Sequence, residues 1–215
     1  MIGASWDGHT EIIQLLQNQP NVDVNIEEIN GETALIHAAR EKHRDIVELL
    51  LKYPDIDVNK QGKHERSALQ YVVFNNNKEI LELLLKHPNI DVNLKEDNEI
   101  TTLMYACIYS CKEVAELLLK HSYINVNKQD RYGVTALVFA SLHGYKEIVK
   151  LPLNHSNINV NIKEKFSGSS SLTLDRKKSK RNSRSRSVVK TPQYWHQYTK
   201  YGNAYPFNVR SNTWS

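Results

Sequence analysis

The chain has 215 residues, of which 40% are hydrophobic and 24% charged, and it carries a net charge of +4, a composition that suits one or two soluble domains with a real core. No run approaches the ~18 apolar residues of a membrane helix, and the first residues show neither the basic nor the apolar region of a secretory signal. Residues 1–161 carry 16 Lys+Arg against 22 Asp+Glu, whereas residues 162–215 carry 12 against 2, so an acidic body precedes a basic tail with a separate role.

The body repeats. Asp-Val-Asn stands at 23–25, 57–59 and 91–93, and Asn-Val-Asn at 125–127 and 159–161, every step being 34 residues. Leu35, Leu69, Leu103 and Leu137 keep that step, as do Thr33, Ser67, Thr101 and Thr135. The spacing predicts a partial repeat over 1–28, then repeats over about 29–62, 63–96, 97–130 and 131–161.

Each period reads as two short helices. The hydroxyl residues can cap the first by accepting from its early backbone N–H groups. Asp45, Glu79, Glu113 and Glu147 open the second, where the helix N-terminus favours an acid. Lys52, Lys86 and Lys120 close it, four residues after Glu48, Glu82 and Glu116. One such pair cannot bury its apolar side alone, so neighbours must stack into a solenoid.

Gly133-Val134-Thr135-Ala136-Leu137, then His143-Gly144-Tyr145, then Asn159-Val160-Asn161, resembles the ankyrin repeat, as does the stretch from Gly31 to Ala39 running on to Asp57-Val58-Asn59. The resemblance covers about residues 1–161 and implies an all-α solenoid of helix–turn–helix units joined by short β-hairpin fingers. Departures are evident. Alanine or threonine replaces the family's proline after the cap, and its histidine is Ile36, Gln70, Met104 or Val138. The glycine between helices survives as Gly8 and Gly144 but is Lys42, Asn76 and Ser110 elsewhere, while Glu65 and Glu99 replace the finger glycine. A left-handed lysine costs on the order of 1 kcal/mol.

The ends are unusual. Met1 aligns with Leu35, partway into a first helix, and Pro152 occupies the column of Leu50, Leu84 and Leu118 inside a second helix, where proline costs ~3 kcal/mol. From residue 162 the period stops. A flexible Ser/Gly stretch leads to the basic run Arg176–Ser187, within which Lys177, Lys178, Lys180 and Arg181 resemble a nuclear-import signal. Sparse aliphatic content predicts that 162–215 is disordered. Aromatics from Tyr194 to Trp214 could stack on single-stranded nucleic acid, so nucleic acid is a possible partner through the tail alone.

Catalytic motifs are missing: there is no phosphate loop, nucleophile motif or paired-cysteine metal framework. Cys107 and Cys111 read as reduced thiols, Cys107 in a buried alanine column, and no cofactor or metal is expected. The expectation is a non-enzymatic, monomeric module, cytoplasmic or nuclear and off the membrane, that binds a partner protein. Two alternatives stand beside it: a nuclear regulator whose tail binds importin or nucleic acid, and a fragment of a larger ankyrin-bearing enzyme or channel. In the family, partners meet finger tips and first-helix ends along the concave side. By register the resemblance implies Trp6, Arg40 and Glu41, then Lys63, Arg66, Phe74 and Asn75, then Asp97, Ile108 and Tyr109, then Arg131, Tyr132, Leu142 and His143.

Overall fold

A hydroxyl residue at the head of each first helix sets the phase of its repeat. In the computed structural model, which describes residues 1–162, the Oγ1 atoms of Thr33, Thr101 and Thr135 accept from the N–H of Ile36, Met104 and Val138, each at 3.4 Å. Ser67 closes the same turn differently: its own N–H donates to the Gln70 side chain at 2.7 Å. From these caps run α3 (Ala34–Arg40), α5 (Ala68–Phe74), α7 (Thr102–Ile108) and α9 (Ala136–Leu142). Their partners are α4 (Arg44–Leu50), α6 (Lys78–Leu85), α8 (Lys112–Leu119) and α10 (Lys146–Leu153). The shorter pair α1 (Ile2–Asp7) and α2 (Thr10–Gln17) precedes them. No described helix is long and apolar enough to cross a membrane.

A left-handed residue reverses the chain inside every pair: Gly8 at φ 79°, Lys42 at 66°, Asn76 at 51°, Ser110 at 57° and Gly144 at 68°. Gly8 has a second reason to be glycine, since a Cβ there would lie 2.7 Å from the His43 ring. The acids expected at the second helices do lie in their first turns. Of the expected Glu–Lys pairs, Glu48 and Lys52 approach to 3.9 Å, but Glu116 pairs backwards with Lys112 at 3.8 Å. Such exposed pairs contribute only ~0.3–0.5 kcal/mol each.

The fingers fall short of the hairpins that the family resemblance implies. Each is closed by a backbone bond from Glu28 to Glu32, Gly62 to Arg66, Glu96 to Ile100 or Asp130 to Val134, at 3.0–3.2 Å, around a tighter turn in which Gly31, Glu65, Glu99 or Gly133 donates back to the first of those residues at 2.7–3.0 Å. Only the isolated antiparallel bridges Gln61–Ser67 and Lys95–Thr101 result, and no strand forms among the described residues. The arms are too short to build a ladder before the helix cap takes over the backbone.

Stacking buries the columns that the period defines. Leu35, Leu69 and Leu103 are 1% exposed or less, and Ile46, Ile80 and Val114 are fully buried. Asp-Val-Asn supplies the register. The Asp57 and Asp91 carboxylates accept from the N–H of Asn59 and Asn93, making tight local turns, while the intervening valines are buried. Each asparagine then reaches the next repeat. The Asn59 amide donates to the Asn89 carbonyl at 2.6 Å and accepts from the Asp91 N–H at 2.8 Å. Asn25, Asn93 and Asn127 make the same pair of bonds, 30 and 32 residues ahead.

Asn93→Ala removes both inter-repeat bonds from an inner rung, and chemical denaturation should show a loss on the order of 1–2 kcal/mol. An unchanged transition midpoint would mean that apolar stacking alone holds the register. In α10, Pro152 is buried and has no N–H to offer the Ile148 carbonyl one turn earlier. Pro152→Leu should therefore raise the melting midpoint, and calorimetry showing no rise would contradict that.

Candidate functional site

Residues three apart share a helix face, so the first helices present two linked columns. The outer one is Trp6, Arg40, Phe74, Ile108 and Leu142; beneath it lie His37, Tyr71, Tyr105 and Phe139. Trp6 is 49% exposed and Tyr109, at the end of α7, is 42% exposed. Phe74, Ile108 and Leu142 are half-buried.

Two ionic clusters hold these rings. In the first, Arg40 Nη1 lies 2.5 Å from Glu32 Oε2 and Nη2 donates to His37 Nδ1 at 2.8 Å. Tyr71 donates its hydroxyl to the other Glu32 oxygen at 2.9 Å. The guanidinium sits 4.8 Å from the Trp6 ring centroid, and Trp6 lies on the His37 ring at 4.9 Å. One repeat later, Arg66 Nε meets Glu96 Oε2 at 2.8 Å, its Nη2 points to the Tyr105 hydroxyl at 3.4 Å, and its guanidinium lies 6.0 Å from the Phe74 ring. Phe74 stands edge-on to Tyr109 at 5.4 Å and to Tyr105 at 6.4 Å, and the two tyrosine rings are parallel within 4°.

Glu32 and Glu96 are 2% and 3% exposed. At that depth, removing one partner of an ion pair typically costs ~3–5 kcal/mol, although the pair itself is not a large net stabiliser. Its effect is geometric: each carboxylate locks an arginine, and each arginine lies against an aromatic ring. Burial and then Glu32 push the Tyr71 phenol up to about 12, so it stays a donor at neutral pH.

His37 is fully buried. Burial lowers its pKa, Arg40 lowers it further, and Glu32 and Glu28 oppose them. With Arg40 donating to Nδ1, the neutral ring carries its proton on Nε2, which faces Glu28 at 3.4 Å and Glu32 at 3.7 Å. Glu28, Glu32 and His37 bring three ligand-type atoms within 4.8 Å of one another. The Arg40 guanidinium already occupies Glu32 and the second histidine nitrogen, so the cation that Glu32 holds is an arginine. Cys107 and Cys111 are free thiols, and burial raises Cys107 to about 12, far from a nucleophile's range.

The residues singled out by sequence separate into three groups. Trp6, Glu41, Lys63, Asp97, Tyr109 and Arg131 are exposed, whereas Arg40, Phe74, Asn75, Ile108, Tyr132, Leu142 and His143 are partly covered. Arg66 is the exception: it is 8% exposed and turns inward to Glu96, 30 residues away, so it orders Phe74 from beneath and presents no charge outward. At the finger tips the Arg131 guanidinium donates to the Asp97 carbonyl, and His64 Nδ1 lies 3.4 Å from Asp97 Oδ2, so neighbouring fingers hold one another. Lys177, Lys178, Lys180 and Arg181 lie outside the described residues. The inward His37, Tyr71, Tyr105 and Glu96 were not anticipated. For His37, Tyr71 and Tyr105 the signal was a polar-aromatic column three residues before the Trp6 column, whereas Glu96, a finger residue, had none.

A family model for ankyrin repeats in three copies matches residues 1–96 and 69–164. Comparison with curated proteins gives no match.

The His37 site carries a pH dependence. Its folded pKa lies below the ordinary 6.5, so the unfolded chain binds the proton more tightly. Stability is then full above the unfolded value and falls as pH drops through 6.5 towards the folded value. Denaturation at a series of pH values should show that loss, and His37→Gln should remove it; an identical profile in the variant would contradict the assignment.

Proposed function

Because the chain belongs to the ankyrin-repeat family, whose repeats are a general protein–protein interaction module, we propose that it is a non-catalytic scaffold that captures a partner protein on the face made by its fingers and first helices. One observation carries this reading: Trp6 and Tyr109 remain exposed while their rings are fixed by neighbours, Trp6 by Arg40 and His37, Tyr109 by Phe74 and Tyr105.

Aromatic rings suit the centre of an interface because they cover a large area and lose little rotamer freedom on binding. Rings already held before binding lower that cost further. Around them the charge is mixed, with Asp7 and Glu41 at one end, Lys63 in the second finger and Arg131 in the fourth. A polar rim around apolar anchors is the usual anatomy of a specific interface. Among the described residues beneath this face, Cys107 is buried and Glu32 and Glu96 are held in ion pairs.

Phe74, Tyr109 and Tyr132 are the proposed anchors. Replacing each with alanine should weaken partner capture by ~1–3 kcal/mol, with circular dichroism confirming that the helices persist. A folded triple variant that retains its partners as the parent does would place the interface elsewhere.

A further inference from the structure

His37 differs in kind from its siblings in the first-helix column, which are Tyr71, Tyr105 and Phe139. It is the one member of that column whose side chain titrates near neutral pH. The ring is fully buried, with Trp6 of α1 tilted over it at 4.9 Å. The finger before α3 supplies Glu28 and Glu32, and α3 itself supplies Arg40, as the charges that act on it. Tyr71 of α5 donates its hydroxyl to Glu32. His43, just ahead of α4, bonds the Trp6 carbonyl at 3.0 Å, and Arg44 turns to Asp45 and Glu48.

Only one nitrogen of this ring can take a further proton. A guanidinium has N–H donors and no acceptor, so Arg40 Nη2, at 2.8 Å, donates to a bare Nδ1. The neutral ring then carries its hydrogen on Nε2, and the next proton enters at Nδ1. There it would set two donors and two positive charges against each other across that same distance. A protonated His37 and an inward Arg40 exclude one another.

Arg40 has an outward path. Its side chain is 24% exposed at the end of α3, and Nε is already bonded to Glu41 at 3.1 Å. The Arg40 carbonyl accepts from the Asn75 amide at 2.8 Å, which holds the backbone in place while the guanidinium turns. The carboxylates left behind lie 3.4 and 3.7 Å from Nε2, so an imidazolium can replace the guanidinium beside them.

We propose that His37 and Arg40 form a proton-operated exchange: when His37 takes a proton at Nδ1, the imidazolium becomes the buried cation and the Arg40 guanidinium swings out onto the finger and first-helix face. Trp6 stays on the ring, which is now itself a cation, and a mobile arginine appears beside it. That the exchange alters partner capture rests on the interface proposed above. The exchange itself is read without a partner, so it stands or falls separately from that interface.

NMR of the full chain labelled with nitrogen-15 tests this, with pH lowered from about 8 until the chain unfolds. The His37 ring should titrate below the ordinary 6.5 while the chain is folded, and the Arg40 Nε–H and Trp6 indole N–H signals should shift with the same midpoint. His37→Gln should leave both signals constant. If that variant fails to fold, His37→Tyr takes its place, tyrosine being the residue of the next two repeats. An Arg40 signal that stays constant while His37 titrates would overturn the proposal. So would shifts that survive in the His37 variant and vanish in His43→Gln, or a chain that unfolds before His37 takes its proton.

Discussion

Register between neighbouring repeats is the constraint on which the rest depends. A pair of seven- or eight-residue helices is too short to persist alone, and its apolar columns are covered only when the next pair sits at a fixed height. The asparagine rungs set that height through two directional bonds per interface. Apolar contact is permissive about sliding, whereas a bidentate amide–backbone contact is not. The repeated Asp-Val-Asn therefore couples a local turn, a buried valine and an inter-repeat bond in three residues.

That register also builds the face proposed to bind a partner. Glu32 reaches Arg40 and Tyr71, and Glu96 reaches Arg66 and Tyr105, because consecutive repeats bring finger and helix columns into contact. Charges buried this way add little net stability, but they fix ring positions. Seven described non-glycine residues, among them Lys42, Glu65, Glu99 and Ser110, are left-handed and add strain to the same array. On the proposed binding face, the rings are ordered by their neighbours in the array itself.

The period, the helix pairs and most caps were legible in the sequence, because Thr33, Thr101 and Thr135 act locally and a step of 34 residues fixes the columns. So were the left-handed Lys42 and the helical place of Pro152. What escaped was orientation. Register places Arg66 in a finger, but its inward turn depends on Glu96, 30 residues away, becoming buried beside it. Likewise Asp-Val-Asn marks the period plainly, yet the forward reach of its asparagine requires the spacing between stacked repeats. The fingers were over-read as hairpins, since one bridge apiece in the second and third is all that their arms allow.

The central claim, that the finger and first-helix face binds a protein partner, separates most cleanly from mere stickiness by comparing two tyrosines. Tyr109 lies on that face and is 42% exposed, while Tyr123 lies in the turn before an asparagine rung and is 76% exposed. A photoreactive phenylalanine analogue placed at each position in turn should crosslink a discrete partner at 109 and not at 123. Crosslinking that follows exposure, with more at 123 than at 109, would contradict the account.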